Sequence, residues 1–511
     1  MNSLFVLICR IVILMTLPVN ALNAQTFYVA TNGLDAPAGG TLVMPWQTVS
    51  FAIDQVPDNA TIEVAPGTYV GRVRLDQQFI NGITIRSSQA YQARLRYNDG
   101  AVVICFTCQG VTLEGFDIAH SVENTGALLI QIQDLLGSHN GSNGGTDAVV
   151  SNVTLRNNIF HDSTNNDILK INNGAENILV EGNMFYNQSG SDEHIDINSV
   201  IDVTVQDNIF FNSLSQAVTS SFIVIKDSNG TSDTVLGTRN TKIRRNIFLN
   251  WQGNDGQSFV RIGEDGTSNF EADGVIVENN LFLGNSSQMM RSTFTVQGSR
   301  NVLFHYNTVV GNLPSRSFAA RLLAVGANQQ NEQITLNNNI WSDPDGTMGV
   351  EGFNGADVFD APIGDNTNVT LNNNLYYNGG NAIPADTTQE VKLANDTNAI
   401  IGDPLLPTSS NVVLPVWNST HFGGGALTIR EAFTHLATTY AKPAINGAGT
   451  DQGVATQAPI EDLLGNLRSA SPDVGAFELD EGGGPPDPAA ANTFCIPIKT
   501  NNGNRLAVIC L

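Results

Sequence analysis

Hydrophobic and polar positions alternate in short runs along most of the chain, and one run recurs. NVTLRNNIF at 152–160 returns as NILVEGNMF (177–185), DVTVQDNIF (202–210), TKIRRNIF (241–248) and GVIVENNLF (274–282), then as NVLFHYNTV (301–309), QITLNNNIW (333–341) and NVTLNNNLY (368–376). Each copy reads as a period-two strand, then an Asn, then an apolar or aromatic pair. The aligned residues are Asn158, Asn183, Asn208, Asn246, Asn280, Asn307, Asn339 and Asn374, spaced by 25, 25, 38, 34, 27, 32 and 35 residues. A variable period above a fixed minimum is what a stacked coil produces when each coil must complete one turn and adds residues on one side.

Between the copies lies a further alternating strand: ILKIN (168–172), HIDIN (194–198), FIVIK (222–226), FVRIG (259–263), FTVQG (294–298) and LLAVG (322–326). Two or three strands per ~25-residue coil is too short for a four-stranded propeller blade and lacks the helix of a leucine-rich repeat. The pattern predicts an all-β fold, a parallel β-helix whose coils lie about 4.8 Å apart. Equivalent residues then stack into columns, and the Asn column is expected to hydrogen-bond from coil to coil at a turn.

The ends depart from the repeat. Residues 1–24 carry an apolar stretch from Ile11 to Leu17 followed by small residues, and read as a secretory signal cut after Ala21 or Ala24. The competing reading is an uncleaved anchor. No later segment reaches the ~20 apolar residues that span a bilayer. The spacing of Trp46, Val49, Ile53 and Val56 predicts a short helix. The segments FYVATNGLDAPAGG (27–40), PWQTVSFAIDQV (45–56) and ATIEVAPGTYVG (60–71) resemble the entry cap of bacterial right-handed parallel β-helix proteins of the pectin-lyase-like superfamily. The resemblance implies a right-handed β-helix over 25–400, with the short helix covering its first coil.

Past residue 400 the repeat stops. LTIREAFTHLATTY (427–440) has helical spacing of Ile429, Phe433, Leu436 and Tyr440, and the module 401–480 is expected to close the stack. Within it, DLLGNLRSASPDVGAFE (462–478) resembles the terminal module that precedes anchoring or sorting tails on bacterial surface proteins. A Gly/Pro linker (481–493) leads to a tail (494–511) that reads as a hairpin around Asn502-Gly503. Pairing outward from that turn sets Cys495 opposite Cys510, and a disulfide is expected there in an exported protein. Cys105 and Cys108 form a CxxC without the second pair that zinc needs. They are expected as a local disulfide or as two buried thiols.

Composition changes this picture in two ways. The 58 Asn and 48 Gly carry polarity that charged residues, only 14%, do not. The 24 Lys+Arg against 48 Asp+Glu give −24, and removing residues 1–24 deletes only Arg10, so 23 − 48 = −25. Such a chain offers nucleic acid and anionic membranes no electrostatic attraction. Its few cations are therefore informative.

Setting Leu169/Ile171, Ile195/Ile197, Ile223/Ile225 and Val260/Ile262 inward sends one outward column through Lys170, Asp196, Val224 and Arg261. The neighbouring column runs through Asn172, Asn198, Lys226 and Gly263. His194 is assigned to the same face, and Asp192, Glu193, Glu264 and Asp265 to adjoining turns. This face is a candidate groove for an extended sugar chain, with Lys170, Asp196, His194, Asn198 and Arg291 as substrate-binding candidates, and makes polysaccharide the expected partner. Uronate lyases of the resembled superfamily use a Lys base with an Arg nearby, often with Ca²⁺. By that resemblance Lys226 is the candidate base, Arg261 its partner, and Glu264 or Asp265 a Ca²⁺ ligand. Those lyases carry Lys-Ser and Arg-His pairs, where this chain has Lys226-Asp227 and Arg261-Ile262. Two further readings stand beside it: glycoside hydrolysis by Asp196 with Asp192, Glu193 or Asp227, and a structural or adhesive surface protein without turnover.

Overall fold

The computed structural model describes residues 24–479, apart from 122–126, 135–149, 165, 191, 215–219, 228–234, 250, 252–256, 286–288, 313–314, 316, 350–356 and 410. It also describes 495–499 and 506–510. The signal-like residues 1–23 and the linker lie outside the described residues, as do the side chains of Cys495 and Cys510. Each coil contributes three strands, for example Ser151–Arg156, Ile159–Ser163 and Leu169–Asn172, before the next begins at Glu176. These build three parallel sheets, two of 12 strands and a third of 10. The architecture is a parallel β-helix, and the apolar pair after each Asn opens a strand of its own.

The corner between the first and second sheets explains both the Asn column and the composition. The residue before each ladder Asn is left-handed: Asn157, Gly182, Asp207, Arg245, Asn279, Tyr306, Asn338 and Asn373 have φ between 51° and 64°. Asn183 is representative of the rungs. Its Nδ2 donates to Leu155 O at 2.8 Å and to Asn208 Oδ1 at 3.1 Å, its own N–H donates to Asn208 Oδ1 at 2.8 Å, and its Oδ1 accepts from Asn158 N at 2.8 Å. The same set repeats at each step to Asn374, whose amide ends on Asp396 Oδ2 at 2.7 Å. All eight Asn side chains are fully buried. A second left-handed position recurs at the start of first-sheet strands, at Asn152, Asn177, Asp202, Asn240, Asn301 and Asn368. Asn and Gly tolerate that conformation best, so a stack of such corners consumes them.

Inside the coils, Phe160, Phe185, Phe210, Phe248 and Phe282 stack at centroid spacings of 4.9 to 5.0 Å. At the entry, helix α1 (Val49–Gln55) is capped by Thr48 and buries Val49, Ala52 and Ile53, with Trp46 stacked on Phe27 beside it. Cys105 and Cys108 form a buried disulfide. In the tail, Cys495–Lys499 pairs antiparallel with Leu506–Cys510, with Cys495 opposite Cys510 and Pro497 opposite Val508.

The segment 401–480 does not close the stack. Ile383, Val391, Leu393 and Ala399 cover the last coil, while the later segment runs back along the flank of the second sheet. Its helix α2 (Ile429–Tyr440) and neighbours bury Phe422, Phe433, Leu436, Leu463 and Phe477 against Ile159, Met184, Ile209, Phe211, Ile247 and Leu281. The reason is the outer face of that sheet, which is as apolar as its inner face and would otherwise meet water.

Truncating one rung removes buried hydrogen bonds on both sides of it. Asn208→Ala is expected to lower unfolding free energy by about 3 kcal/mol, from two or three buried polar groups left unpaired. Urea titration checks this; a loss under about 1 kcal/mol would mean the ladder is dispensable.

Candidate functional site

The third sheet presents the columns of interest. Lys170 is in register with Asp196, Val224, Arg261, Thr295 and Arg321, and Asn172 with Asn198 and Lys226. Alternation sends Leu169, Ile171, Ile195, Ile197, Ile223 and Ile225 into the core and leaves the polar columns on the outside.

One ionic network joins them. Lys170 Nζ lies 2.5 Å from Asp196 Oδ2 and 3.7 Å from Asp167; Lys226 Nζ lies 3.6 Å from the same Asp196 oxygen and 2.7 Å from Glu264. Arg261 continues it, 2.8 Å from Glu264 and bonded to the Gln257 and Gln297 side-chain oxygens. Asp196 is 1% exposed, and its second oxygen, Oδ1, has no hydrogen-bond partner among the described residues. Beside it, Asp167, Asp192 and Glu193 each bring an oxygen within 4.8 Å of the others. This is a hard, oxygen-only donor set of the kind that suits Ca²⁺ or Mg²⁺.

Electrostatics reflect burial and crowding. Burial, then Asp196, raises the Asp167 carboxyl to about 6, against the pull of Lys170. Burial and the nearby Asp167 and Glu264 push Glu193 well above the usual carboxylate range, and burial raises Asp192. Burial opposes charge on Lys226, but Asp196, Glu264 and Glu193 outweigh it and hold the ammonium well above its ordinary value. Glu264 is the reverse case: burial raises it, and Lys226 and Arg261 more than compensate, leaving it lowered.

Of the residues singled out from sequence, Lys170, Asp196, Lys226, Arg261 and Glu264 share this network. Asn198 is buried beside it, accepting from Ser199 Oγ at 3.0 Å. Asp265 is exposed on the next turn, where Glu271 gathers the N–H groups of 264–266. The acidic grouping therefore lies at 167, 192 and 193 and does not centre on Glu264 and Asp265, because Glu264 is committed to two cations. Asp227, adjacent in sequence to Lys226, turns inward to Ser199 Oγ at 2.8 Å and to Asn269.

His194 is not on the groove. It is fully buried, with its ring 4.6 Å from Phe222 and 6.2 Å from Phe210. The strand begins at Ile195, and the chain bends at the corner just before it, so Ile168, His194, Phe222 and Phe259 point inward next to residues that also point inward. Alternation does not carry across that bend. The same bend hid Asp167. Asp167 and Glu193 each stand two residues before an inward Leu169 or Ile195, and Asp167 Oδ1 accepts the Glu193 N–H at 3.0 Å.

No protein-family model matches the chain, and no curated protein matches it in sequence. Solved structures do match. The pectate lyase Pel9A shares 14% identity over 90% of this chain and 97% of its own, with a TM-score of 0.51. XylC, solved with xylose, shares 11% over 90% and 99% at 0.49. An alginate lyase from Paenibacillus sp. str. FPU-7 shares 14% over 68% and 99% at 0.41. At these identities the likeness to Pel9A concerns the fold: a parallel β-helix spanning nearly both chains.

Burial depresses the His194 pKa to about 3. The unfolded chain therefore takes up a proton there that the folded one refuses, so its stability contribution is complete above about 6.5 and is lost as pH falls from there toward 3. His194→Phe is expected to flatten the decline in thermal midpoint over that window. A decline as steep as in the parent protein would show that His194 is not what makes the fold acid-sensitive.

Proposed function

We propose that this protein is an exported lyase of acidic polysaccharides that cuts by β-elimination with the help of a divalent cation. The observation that carries the reading is the meeting, on one outer sheet face, of an oxygen-only carboxylate group with two lysines that share Asp196. The β-helix likeness to a pectate lyase supports it at the level of fold. The signal-like residues 1–24 and the Cys105–Cys108 disulfide support export, since disulfides persist in oxidising compartments. The resemblance of 462–478 to anchor-associated modules supports a surface location.

The residues present fit a cation. Burial, with Asp196 beside them, raises the proton affinity of Asp167, Asp192 and Glu193, and a buried oxygen of Asp196 has no hydrogen-bond partner among the described residues. A divalent cation held by Asp167, Asp192 and Glu193 would supply positive charge to neutralise the substrate carboxylate. Lys226, after giving its ammonium proton to solvent, takes the proton from the carbon next to the uronate carboxylate. The electron pair left behind forms the carbon–carbon double bond as the bond to the leaving sugar oxygen breaks, and that oxygen takes a proton from solvent. Arg261, held by Glu264, Gln257 and Gln297, adds a fixed positive charge near the carboxylate as negative charge grows on it. Hydrolysis by paired carboxylates gains less support, because Asp227 is turned inward and Asp196 is tied to both lysines.

Incubation with de-esterified uronate polymers is expected to generate the ultraviolet absorbance of an unsaturated product. The signal should vanish with chelator and return with Ca²⁺. Lys226→Ala and Lys226→Arg should each lower kcat by about 10²–10⁴-fold, the range of a lost general base. Absence of unsaturated product from every acidic polymer, or a Lys226→Ala protein within tenfold of the parent, rules the reading out.

A further inference from the structure

Beyond Lys226 along the same face lies a pocket of about 240 Å³ whose lining includes Arg261, Arg291, Arg321, Ser258, Thr295 and Gln297. Three arginines line it and, among the described residues, no carboxylate does, in a chain whose acids outnumber its bases 48 to 24. Two of the arginines are held from behind, Arg261 by Glu264 and Arg321 by Asp360 at 2.7 Å. A guanidinium fixed in this way keeps its charge and loses little freedom on accepting a carboxylate. Arg291 is exposed on the rim, and no ion pair to it exists among the described residues. Ser258 and Thr295 hydroxyls, 2.6 Å apart in the lining, add neutral hydrogen-bonding groups of the kind sugar hydroxyls use. The volume is below that of a pocket for a drug-sized ligand and suits one sugar ring.

The register fixes where this pocket stands. The strand carrying Lys226 pairs with that of Arg261, which pairs with Ser292–Gln297, which pairs with that of Arg321. Arg321 therefore lies three strand spacings, about 14 Å, beyond Lys226 along the helix axis. On the other side of Lys226 the face is acidic, at Asp167, Asp192 and Glu193. The charged groups on this face thus shift from mainly acidic to basic along the helix axis, and an anionic chain crossing Lys226 extends toward the later coils.

We infer that Arg291 and Arg321 form a carboxylate-binding subsite for a second uronate, two to three sugars from the bond that is cut, with Arg261 between them and Lys226, so that the protein selects runs of consecutive acidic sugars. The inference rests on the lyase reading for its placement but not for its binding chemistry. A chain with isolated uronates would leave Arg291 and Arg321 facing neutral rings. A dimer held across the bond at Lys226 would not reach Arg321.

Calorimetric titration with hexameric oligogalacturonate and oligomannuronate, their carboxyl-reduced forms and their dimers, with chelator present to prevent cutting, tests this. Arg291→Ala, on the rim, is expected to weaken an acidic hexamer about tenfold, with Arg291→Lys intermediate and Arg291→Ala/Arg321→Gln weaker still. The reduced hexamer and the acidic dimer should show no dependence on Arg291. In turnover assays the same variants should raise KM with little change in kcat. The subsite is overturned if the double variant binds acidic hexamers as the parent does, if the parent binds reduced hexamers equally well, or if no acidic hexamer binds at all. The two readings separate: arginine-dependent binding without unsaturated product keeps the subsite and removes the lyase, whereas product formation with unchanged KM in the double variant does the reverse.

Discussion

A buried amide ladder at one corner is the constraint on which the rest of the molecule depends. At each coil the chain leaves the first sheet through a left-handed residue and enters the second through an Asn whose amide bonds forward and backward along the stack. Were that corner loose, strand register would be free to slip, and a one-residue slip would exchange inside for outside on every later strand. Because it is tight, insertions of very different length before and after the third-sheet strands leave the columns aligned: the Asn spacing jumps from 25 to 38 residues while Asp196 and Val224 stay in register. The site on the third sheet inherits its precision from a corner on the far side of the coil.

That corner was readable from sequence because it recurs, and so were the columns it aligns. Leu169, Ile195, Ile223 and Val260 are inward in the structure as their alternation implies, and Lys170, Asp196 and Arg261 share one column from that alone. What alternation could not reach was the bend. His194 looks outward by counting and is inward by geometry, and Asp167 belongs to the site only because the chain bends before Leu169. The flank was illegible for a different reason. The doublets Ile-Phe and Met-Phe after each Asn carry an apolar side chain on both faces of the second sheet, a sign that both faces are covered. Which distant segment covers the outer one is a long-range fact that local pattern does not hold.

Charge is spent differently on the three faces. On the first sheet, outward residues alternate in sign from coil to coil, as in Glu63 with Arg86 and Arg156 with Glu114 and Glu181, and the pairs are substantially exposed. Such pairs contribute little each and keep the face soluble. On the third sheet, the Asp196 carboxylate is buried between half-buried cations that share it, and one of its oxygens is unsatisfied among the described residues. Burying charge in that manner is costly unless something else uses it. The contrast between two faces built on one repeat locates the working surface more sharply than any single residue does.

The segment on the flank also changes what kind of folding unit this is. A bare solenoid is nearly one-dimensional: each coil touches only its neighbours, and the stack can fray from an end or open in the middle. Here Ile429 N–H reaches the Tyr91 hydroxyl, Glu461 grips Arg245 and Asn279, and Gly475 N–H meets Asn338. A single stretch of chain late in the sequence thus spans coils that are hundreds of residues apart. Opening any one of those coils must also break the strap across it, so local breathing is coupled to the whole, and the strap can dock only after the coils beneath it have formed. The molecule should therefore lose its structure as one body, with its last-made segment acting as the clasp.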